Sequence, residues 1–136
     1  MEETSLTINK ILPKKREIWL VNLEPTLGVE IKKIRPVVVL NSDAIGKLPL
    51  KLIAPITDWK NYYSRNPWHV QIVPNSNNNL SKISAIDTLQ LRGVDIQRFQ
   101  KKIGIISEKE MQKIAIAIIT VIDIDMNIFL PSGDCF

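Results

Sequence analysis

The sequence has 136 residues, of which 45% are hydrophobic, and a formal net charge of +4. This length and composition indicate one globular domain with its own core and exclude a disordered chain. The single Cys excludes an internal disulfide and a cysteine zinc cluster, and the single His excludes a two-histidine metal site or acid–base pair within the chain.

The positive charge is concentrated in the first half of the chain. Residues 1–65 hold eleven basic and seven acidic side chains, whereas residues 66–136 hold seven of each sign. Such a one-sided excess is typical of a protein that binds a polyanion, although ordinary solubility charge explains a total of +4 equally well.

No segment resembles a targeting signal or a membrane span. The opening MEETSLTINK is polar, and the longest apolar run, residues 114–122, is far shorter than the roughly 20 residues that a spanning helix needs. Together with a lone Cys135, this pattern predicts a cytoplasmic protein that does not contact a membrane.

The first half of the chain reads as a flexible arm followed by short strands. Residues 1–15 lack periodicity, and four later segments are rich in β-branched and aromatic residues. Pro36 is expected at the start of its strand, and Pro55 at an irregular strand end, because proline cannot donate a ladder hydrogen bond. The predicted strands are residues 17–23, 35–40, 50–56 and 68–73, and Pro25 and Gly28 form the first turn.

The second half predicts further short strands and then a helix. We expect a solvated turn or a small disordered stretch at 75–79, one or two strands within 81–91, and a helical turn at 95–101. The capping box Ser107-x-x-Glu110 predicts a helix to about Ile122. That helix is apolar nearly all round. One of its faces can pack on the barrel, so the other must pack against another subunit or the chain's own tail.

Several closely spaced strands followed by one helix, without βαβ alternation, predict a mainly β fold: a small antiparallel barrel with a C-terminal helix. The domain is expected to span residues 16–122, between the arm at 1–15 and a tail at 123–136.

Four segments in order resemble MazF/PemK-type toxins. Residues 17–30 (EIWLVNLEPTLGVE) match a strand leading into Pro-Thr-x-Gly-x-Glu, and residues 35–40 (RPVVVL) match an Arg-Pro that opens a valine-rich strand. Ala54-Pro55-Ile56-Thr57 follows, and Gln90-Leu91-Arg92 with Asp95 matches a later segment. The resemblance covers about residues 16–122.

This resemblance implies an SH3-like barrel, a homodimer, and a metal-independent endoribonuclease that needs no cofactor and cuts single-stranded RNA at short sequences. The family's members act as toxins, and the disordered tail of a cognate antitoxin occupies the RNA groove. Operator DNA would be contacted only through the antitoxin complex.

Metal-free RNA cleavage uses the substrate's 2′-OH as nucleophile and requires a proton acceptor, a proton donor and positive charge at the phosphate. Arg35 matches the family's catalytic arginine, and its planar fork suits phosphate. Thr57 matches the active-site threonine, whose hydroxyl can hold the scissile phosphate. Glu30 matches the loop glutamate, which can position Arg35, contact a base or accept the proton.

A further set of residues is expected to line the RNA groove. Asp58 stands where the family commonly has a hydroxyl residue; it can act as the general base or repel phosphate. Gln90 can read a base edge, and Arg92 can contact phosphate or close the dimer. The predicted RNA-binding residues are Gly28, Lys32, Lys33, Asp58, Ser84, Gln90 and Arg92.

The sequence also departs from the family pattern. Asp87 and Leu89 occupy positions where one branch uses an Arg and an Asp, so the identity of the base stays open. Trp59, Tyr62 and Tyr63 can stack on unpaired bases or anchor their loop. His69 is expected to be a structural strand residue.

These departures leave a second interpretation open. The chain can be a non-catalytic or degenerate module on the same barrel that binds an antitoxin, nucleic acid or a topoisomerase-like protein target. The Arg35/Thr57 pair favours the enzyme.

Overall fold

The computed structural model describes residues 12–31 and 33–129, without the side chains of Met126 and Phe129. Most of the arm predicted at 1–15, the end of the tail predicted at 123–136, and Lys32 therefore lie outside the described residues. Within these residues the fold has seven strands and one α-helix, α1 (Glu108–Ile122). The strands are β1 (Glu17–Asn22), β2 (Ile34–Val39), β3 (Leu50–Asp58), β4 (His69–Ile72), β5 (Ser84–Asp87), β6 (Arg92–Asp95) and β7 (Phe99–Ile105).

Every strand pair is antiparallel, in the order β4-β5-β3-β2-β1-β7, and β6 pairs with β3. The expected barrel-like fold is confirmed, although the hydrogen-bonded sheet is not closed. β3 carries β2 along one side. Along its other side it pairs first with β6 (residues 50–53) and then with β5 (residues 56–58).

Pro55 lies inside β3, so the expected strand end there was wrong. It sits between the segments that pair with β6 and β5, where that side of β3 has no ladder partner. A proline there loses no ladder bond. Pro36 also lies inside its strand, as the third residue of β2. The pairing of β2 with β3 begins only at the next residue, Val37.

The central strands are buried on both faces, which explains their continuous apolar sequence. Alternate residues enter two clusters: Val38 packs with Ile18, Ile86 and Ile114 of α1 in one. Val37 and Val39 belong to the other, whose members are Trp19, Val21, Leu23, Val37, Val39, Ile53, Val94 and Phe99.

α1 begins at the predicted capping box. The Ser107 hydroxyl accepts from the Glu110 amide at 3.1 Å, and the Glu110 carboxylate accepts from the Ser107 amide at 2.9 Å. Ile114 and Ala117 are buried against the sheet, while Ile116 is 63% exposed. One apolar face of the helix therefore stays open to solvent.

The segment 95–105 differs from expectation. Only Ile96–Arg98 forms a helical turn, of 3-10 type, and β7 follows at once. β7 escaped prediction because two register shifts against β1 interrupt its alternation, leaving polar residues 100–102 in succession.

The Asn-rich segment 75–79 is an ordered turn rather than a disordered stretch. Asn78 is fully buried, and its side-chain oxygen accepts from the Asn75 and Leu80 amides at 3.0 Å each. The Asn77 carbonyl accepts from the Ile105 amide at 3.0 Å, which holds the turn against β7.

Glu17, at the start of β1, is a buried acid with three partners. Its carboxylate accepts from the Lys14 amide at 2.8 Å and from Trp19 Nε1 at 3.0 Å, and Lys102 Nζ lies 2.9 Å away. Burial raises the pKa of Glu17, but the bonds from Lys102, Lys14 and Trp19 outweigh it and the net pKa is lowered.

No helix within the described residues is long and apolar enough to span a membrane.

Replacing Gly104 by Ala should destabilise the fold. A Cβ there would lie 2.4 Å from the Asn77 carbonyl oxygen, so backbone must move. We expect the free energy of unfolding in urea to fall by about 1–3 kcal/mol. Gly93→Ala is the matched control, because no atom lies within 4 Å of its added Cβ. Equal effects of the two substitutions would contradict the close approach at Gly104.

The lowered pKa of Glu17 predicts an acid-dependent loss of stability. Its contribution is present above the unfolded-state pKa and disappears as the pH falls through the lower folded-state pKa. Glu17→Gln should lower the free energy of unfolding at pH 7 by about 1–2 kcal/mol, with the difference from wild type shrinking toward pH 3. Urea unfolding at several pH values measures this, with exposed Asp125→Asn as control; a difference independent of pH would refute it.

Candidate functional site

Arg35 lies near the start of β2 and Thr57 near the end of β3, on adjacent antiparallel strands. The β2–β3 ladder ends with Val37 opposite Pro55, and Arg35 and Thr57 each lie two residues beyond that pair. Because side chains alternate along a strand, both belong to the face of Val37 and Pro55. Thr57 is the penultimate residue of β3 and pairs with Ala85 of β5.

The side chain of Arg35 is exposed and makes no hydrogen bond or ion pair with the described residues. It pairs with Val21 of β1, whose side chain is fully buried, so its backbone is fixed while its side chain faces solvent. The guanidinium is therefore available to a ligand. Near the start of β2, a backbone fixed by the sheet thus carries an exposed guanidinium that can donate two hydrogen bonds to one ligand.

A pocket of about 330 Å³ lies beside the end of the β2–β3 ladder, with Pro55 in its wall. Its walls are the β1–β2 loop (residues 23–33), Pro55 of β3, and residues 89–92. Pro55 shares a strand face with Thr57, two residues away. The pocket carries both polar and apolar groups, which suits an aromatic ring bearing hydrogen-bonding edges.

The β1–β2 loop is closed by its own carboxylates. Glu30 accepts a hydrogen bond from the Leu27 amide, and Glu24 accepts from the Lys33 amide at 2.9 Å. Gly28, at the exposed tip, has a φ of 57°, a conformation that glycine adopts without strain. Glu30 therefore shapes the loop as well as lining the pocket.

Gln90 is bonded at both ends of its side-chain amide. Its Oε1 accepts from the Ile31 amide at 2.7 Å, and its Nε2 donates to Asp87 Oδ2 at 2.9 Å. Arg92 is also engaged, donating to the Leu23 carbonyl at 3.0 Å. Both predicted groove residues thus hold the β1–β2 loop.

The other predicted groove residues differ in accessibility. Asp58 is exposed, with its Oδ2 3.8 Å from Lys82 Nζ, while the buried Ser84 hydroxyl donates to the Lys82 carbonyl at 2.8 Å. Lys33 is exposed beside Arg35, and Lys32 lies outside the described residues. The structure brings Glu30, Gln90 and Arg92 together around the pocket.

His69 is built into a polar and aromatic cluster. Its ring stacks on Tyr63 with centroids 3.8 Å apart, and Nε2 lies 3.7 Å from Asp87 Oδ2. Burial lowers the pKa of His69, and Asp87 offsets part of that effect. Tyr63 also makes edge contacts with Trp59 and Tyr62, so it anchors its loop. Tyr62 is 61% exposed and can still stack on a base.

Arg98 and Asp87 matter to the site but were not among the predicted site residues. Arg98 donates to the carbonyls of Asn22 and Glu24, and Asp87 binds Gln90. No local sequence pattern marks Arg98, since its partners lie more than 70 residues away.

Within residues 12–31 and 33–129, no three His, Cys, Asp or Glu residues form a group that could hold a metal ion.

Known proteins resemble this chain over most of its length. Residues 14–122 match a family model described as the PemK-like, MazF-like toxin of type II toxin–antitoxin systems. Endoribonuclease MazF of Staphylococcus saprophyticus is 34% identical over 106 residues, covering 77% of this chain and 87% of the relative. Endoribonuclease MazF of Staphylococcus epidermidis is 33% identical over 99 residues, covering 72% of this chain and 81% of that protein.

Solved structures share the fold. The crystal structure of MazF from Deinococcus radiodurans aligns with a TM-score of 0.69 at 19% identity, covering 83% of this chain and 98% of that one. A MazE–MazF structure from the same organism aligns with a TM-score of 0.64 at 18% identity, covering 84% and 99%. With the family model spanning residues 14–122, these matches establish that the chain belongs to the PemK-like, MazF-like endoribonuclease toxin family of type II toxin–antitoxin systems.

Proposed function

We propose that this protein is a sequence-specific, metal-independent endoribonuclease that cuts single-stranded mRNA in the cytoplasm as the toxin of a toxin–antitoxin pair. The observation that carries the proposal is that Arg35 and Thr57 lie on adjacent paired strands, each two residues beyond the last β2–β3 pair. The pocket that has Pro55 in its wall, about 330 Å³ in volume, offers a place for a base.

In the proposed reaction, the RNA's own 2′-oxygen attacks the adjacent phosphorus. The P–O5′ bond breaks, which leaves a 2′,3′-cyclic phosphate and a 5′-OH end. Arg35 stabilises the negative charge of the pentacoordinate phosphate, and the Thr57 hydroxyl donates to a non-bridging oxygen. No step requires a metal ion, because the guanidinium supplies the positive charge.

A proton must leave the 2′-OH and another must reach the departing 5′-oxygen. Glu30 and Asp58 are the carboxylates near the pair in sequence and fold. Glu30 uses one oxygen to bind the Leu27 amide, which leaves the other oxygen for a proton. Asp58 follows Thr57 directly and is exposed, with a Lys82 partner at 3.8 Å that RNA can displace.

The same proposal includes a homodimer and a cognate antitoxin. Ile116 and Ile122 on α1 are 63% and 61% exposed, an apolar surface that a second copy would cover. Structures of relatives include MazE–MazF complexes, which supports an antitoxin as partner of this chain. Light scattering after size-exclusion chromatography measures the oligomeric state.

Arg35→Ala should abolish RNA cutting while leaving the fold intact. Removing a charged donor aimed at the transition state costs about 100- to 1000-fold in rate, and the exposed Arg35 side chain adds little to the core. The assay uses single-stranded RNA in EDTA and identifies the product ends, with circular dichroism to check the fold. Exposed Arg65 provides the matched control, since Arg65→Ala removes the same charge from another loop. Undiminished cutting by Arg35→Ala would refute the site.

Thr57→Val should lower the cleavage rate about tenfold or more. Valine preserves the branched shape within β3 but lacks the hydroxyl that would bind the phosphate. Single-turnover rates compare it with Thr120→Val, which replaces an exposed hydroxyl on α1. Wild-type rates for Thr57→Val would remove this residue from the mechanism.

A further inference from the structure

We infer that Asp87 and Gln90 form a positioning pair that fixes the β1–β2 loop beside the pocket, so that Gln90 sets the shape of the RNA site through the loop. The inference rests on the proposed function for its catalytic consequence. Its structural basis is a continuous chain of contacts from Asp87 through Gln90 to the Ile31 amide.

The amide of Gln90 has one orientation only. Its oxygen faces an N–H, which can only donate, and its nitrogen faces a carboxylate, which can only accept. Both ends are occupied at ordinary hydrogen-bond lengths, 2.7 and 2.9 Å. These two bonds fix the plane and the direction of the Gln90 amide, so its remaining N–H and lone pair have set orientations.

Asp87 is itself held in place. It is buried, with 7% of its surface exposed, and its Oδ1 accepts from the Leu89 amide at 3.0 Å. His69 lies 3.7 Å from its other oxygen. A fixed, charged acceptor makes the bond from Gln90 stronger than one between neutral groups.

The same part of the chain also holds the start of the loop. Arg92 donates to the Leu23 carbonyl, and Arg98 donates to the Asn22 and Glu24 carbonyls. Gln90 holds the other end at Ile31. Residues 87–98 thus bind the loop on both sides of its exposed tip, and Glu30 follows the tip directly.

A polarity swap tests the pair. Gln90→Glu places two carboxylates in contact, and Asp87→Asn places two amide nitrogens, both of them donors, against each other. Each single change should lower kcat/KM for RNA about tenfold to a hundredfold and speed hydrogen exchange of the Ile31 amide. The double variant Asp87→Asn/Gln90→Glu restores a donor–acceptor pair of the same total charge. It should recover to within about threefold of wild type in both measurements.

The matched control is Asp95→Asn. Asp95 accepts from the Gln97 amide at 2.8 Å in a 3-10 turn, as Asp87 does for Leu89, but it has no Gln partner among the described residues. Its substitution should leave both measurements unchanged. A double variant no better than the worse single variant, singles that behave as wild type, or an equal effect of Asp95→Asn would each overturn the pair. If wild type cuts no RNA, the proposed function fails, while exchange at Ile31 still decides whether the pair positions the loop.

Discussion

Strand β3 is the element on which the rest of the molecule depends, because it is hydrogen-bonded to β2, β5 and β6. Two partners share one of its sides, so the sheet must bend between them. Pro55 occupies the position between the two partners and loses no ladder bond there. The same strand then continues to Thr57, which is held by its pairing with Ala85 of β5.

This arrangement separates rigid from adjustable parts of the site. Arg35 and Thr57 stand on strands whose neighbouring residues are fully buried, such as Val21 and Ala85. The β1–β2 loop, in contrast, has an exposed tip with Leu27 82% and Val29 97% accessible. Groups that would contact the phosphate are thus placed by the sheet, and groups that would contact neighbouring nucleotides are placed by a loop.

Much of the fold could be predicted from the sequence, because its signals are local. The β-branched runs marked β1 and β2, and the capping box at Ser107 marked the start of α1. β7 was missed because its alternation is interrupted, and the extension of β3 through Pro55 was missed because only the placement of β5 and β6 makes a proline harmless there.

For the site, the resemblance to the toxin family predicted which residues belong to it but not which hydrogen bonds they make. The placement of Arg35 and Thr57 on adjacent strand ends depends on strand pairing, and the bonding of Gln90 and Arg92 depends on contacts across 59 and 69 residues of chain. Side chains that the sequence suggests are free to bind a ligand can be occupied by the protein's own backbone. Only the three-dimensional contacts distinguish these cases.

The contacts that hold the β1–β2 loop have an evolutionary consequence. Gln90, Arg92 and Arg98 bind main-chain atoms of the loop and not its side chains. Side chains at the tip can therefore be exchanged without loss of these attachments, as long as the loop keeps its length. Apart from Glu24, Gly28 and Glu30, residues of the loop tip can therefore change, and with them the groups presented beside the pocket, at little risk to folding.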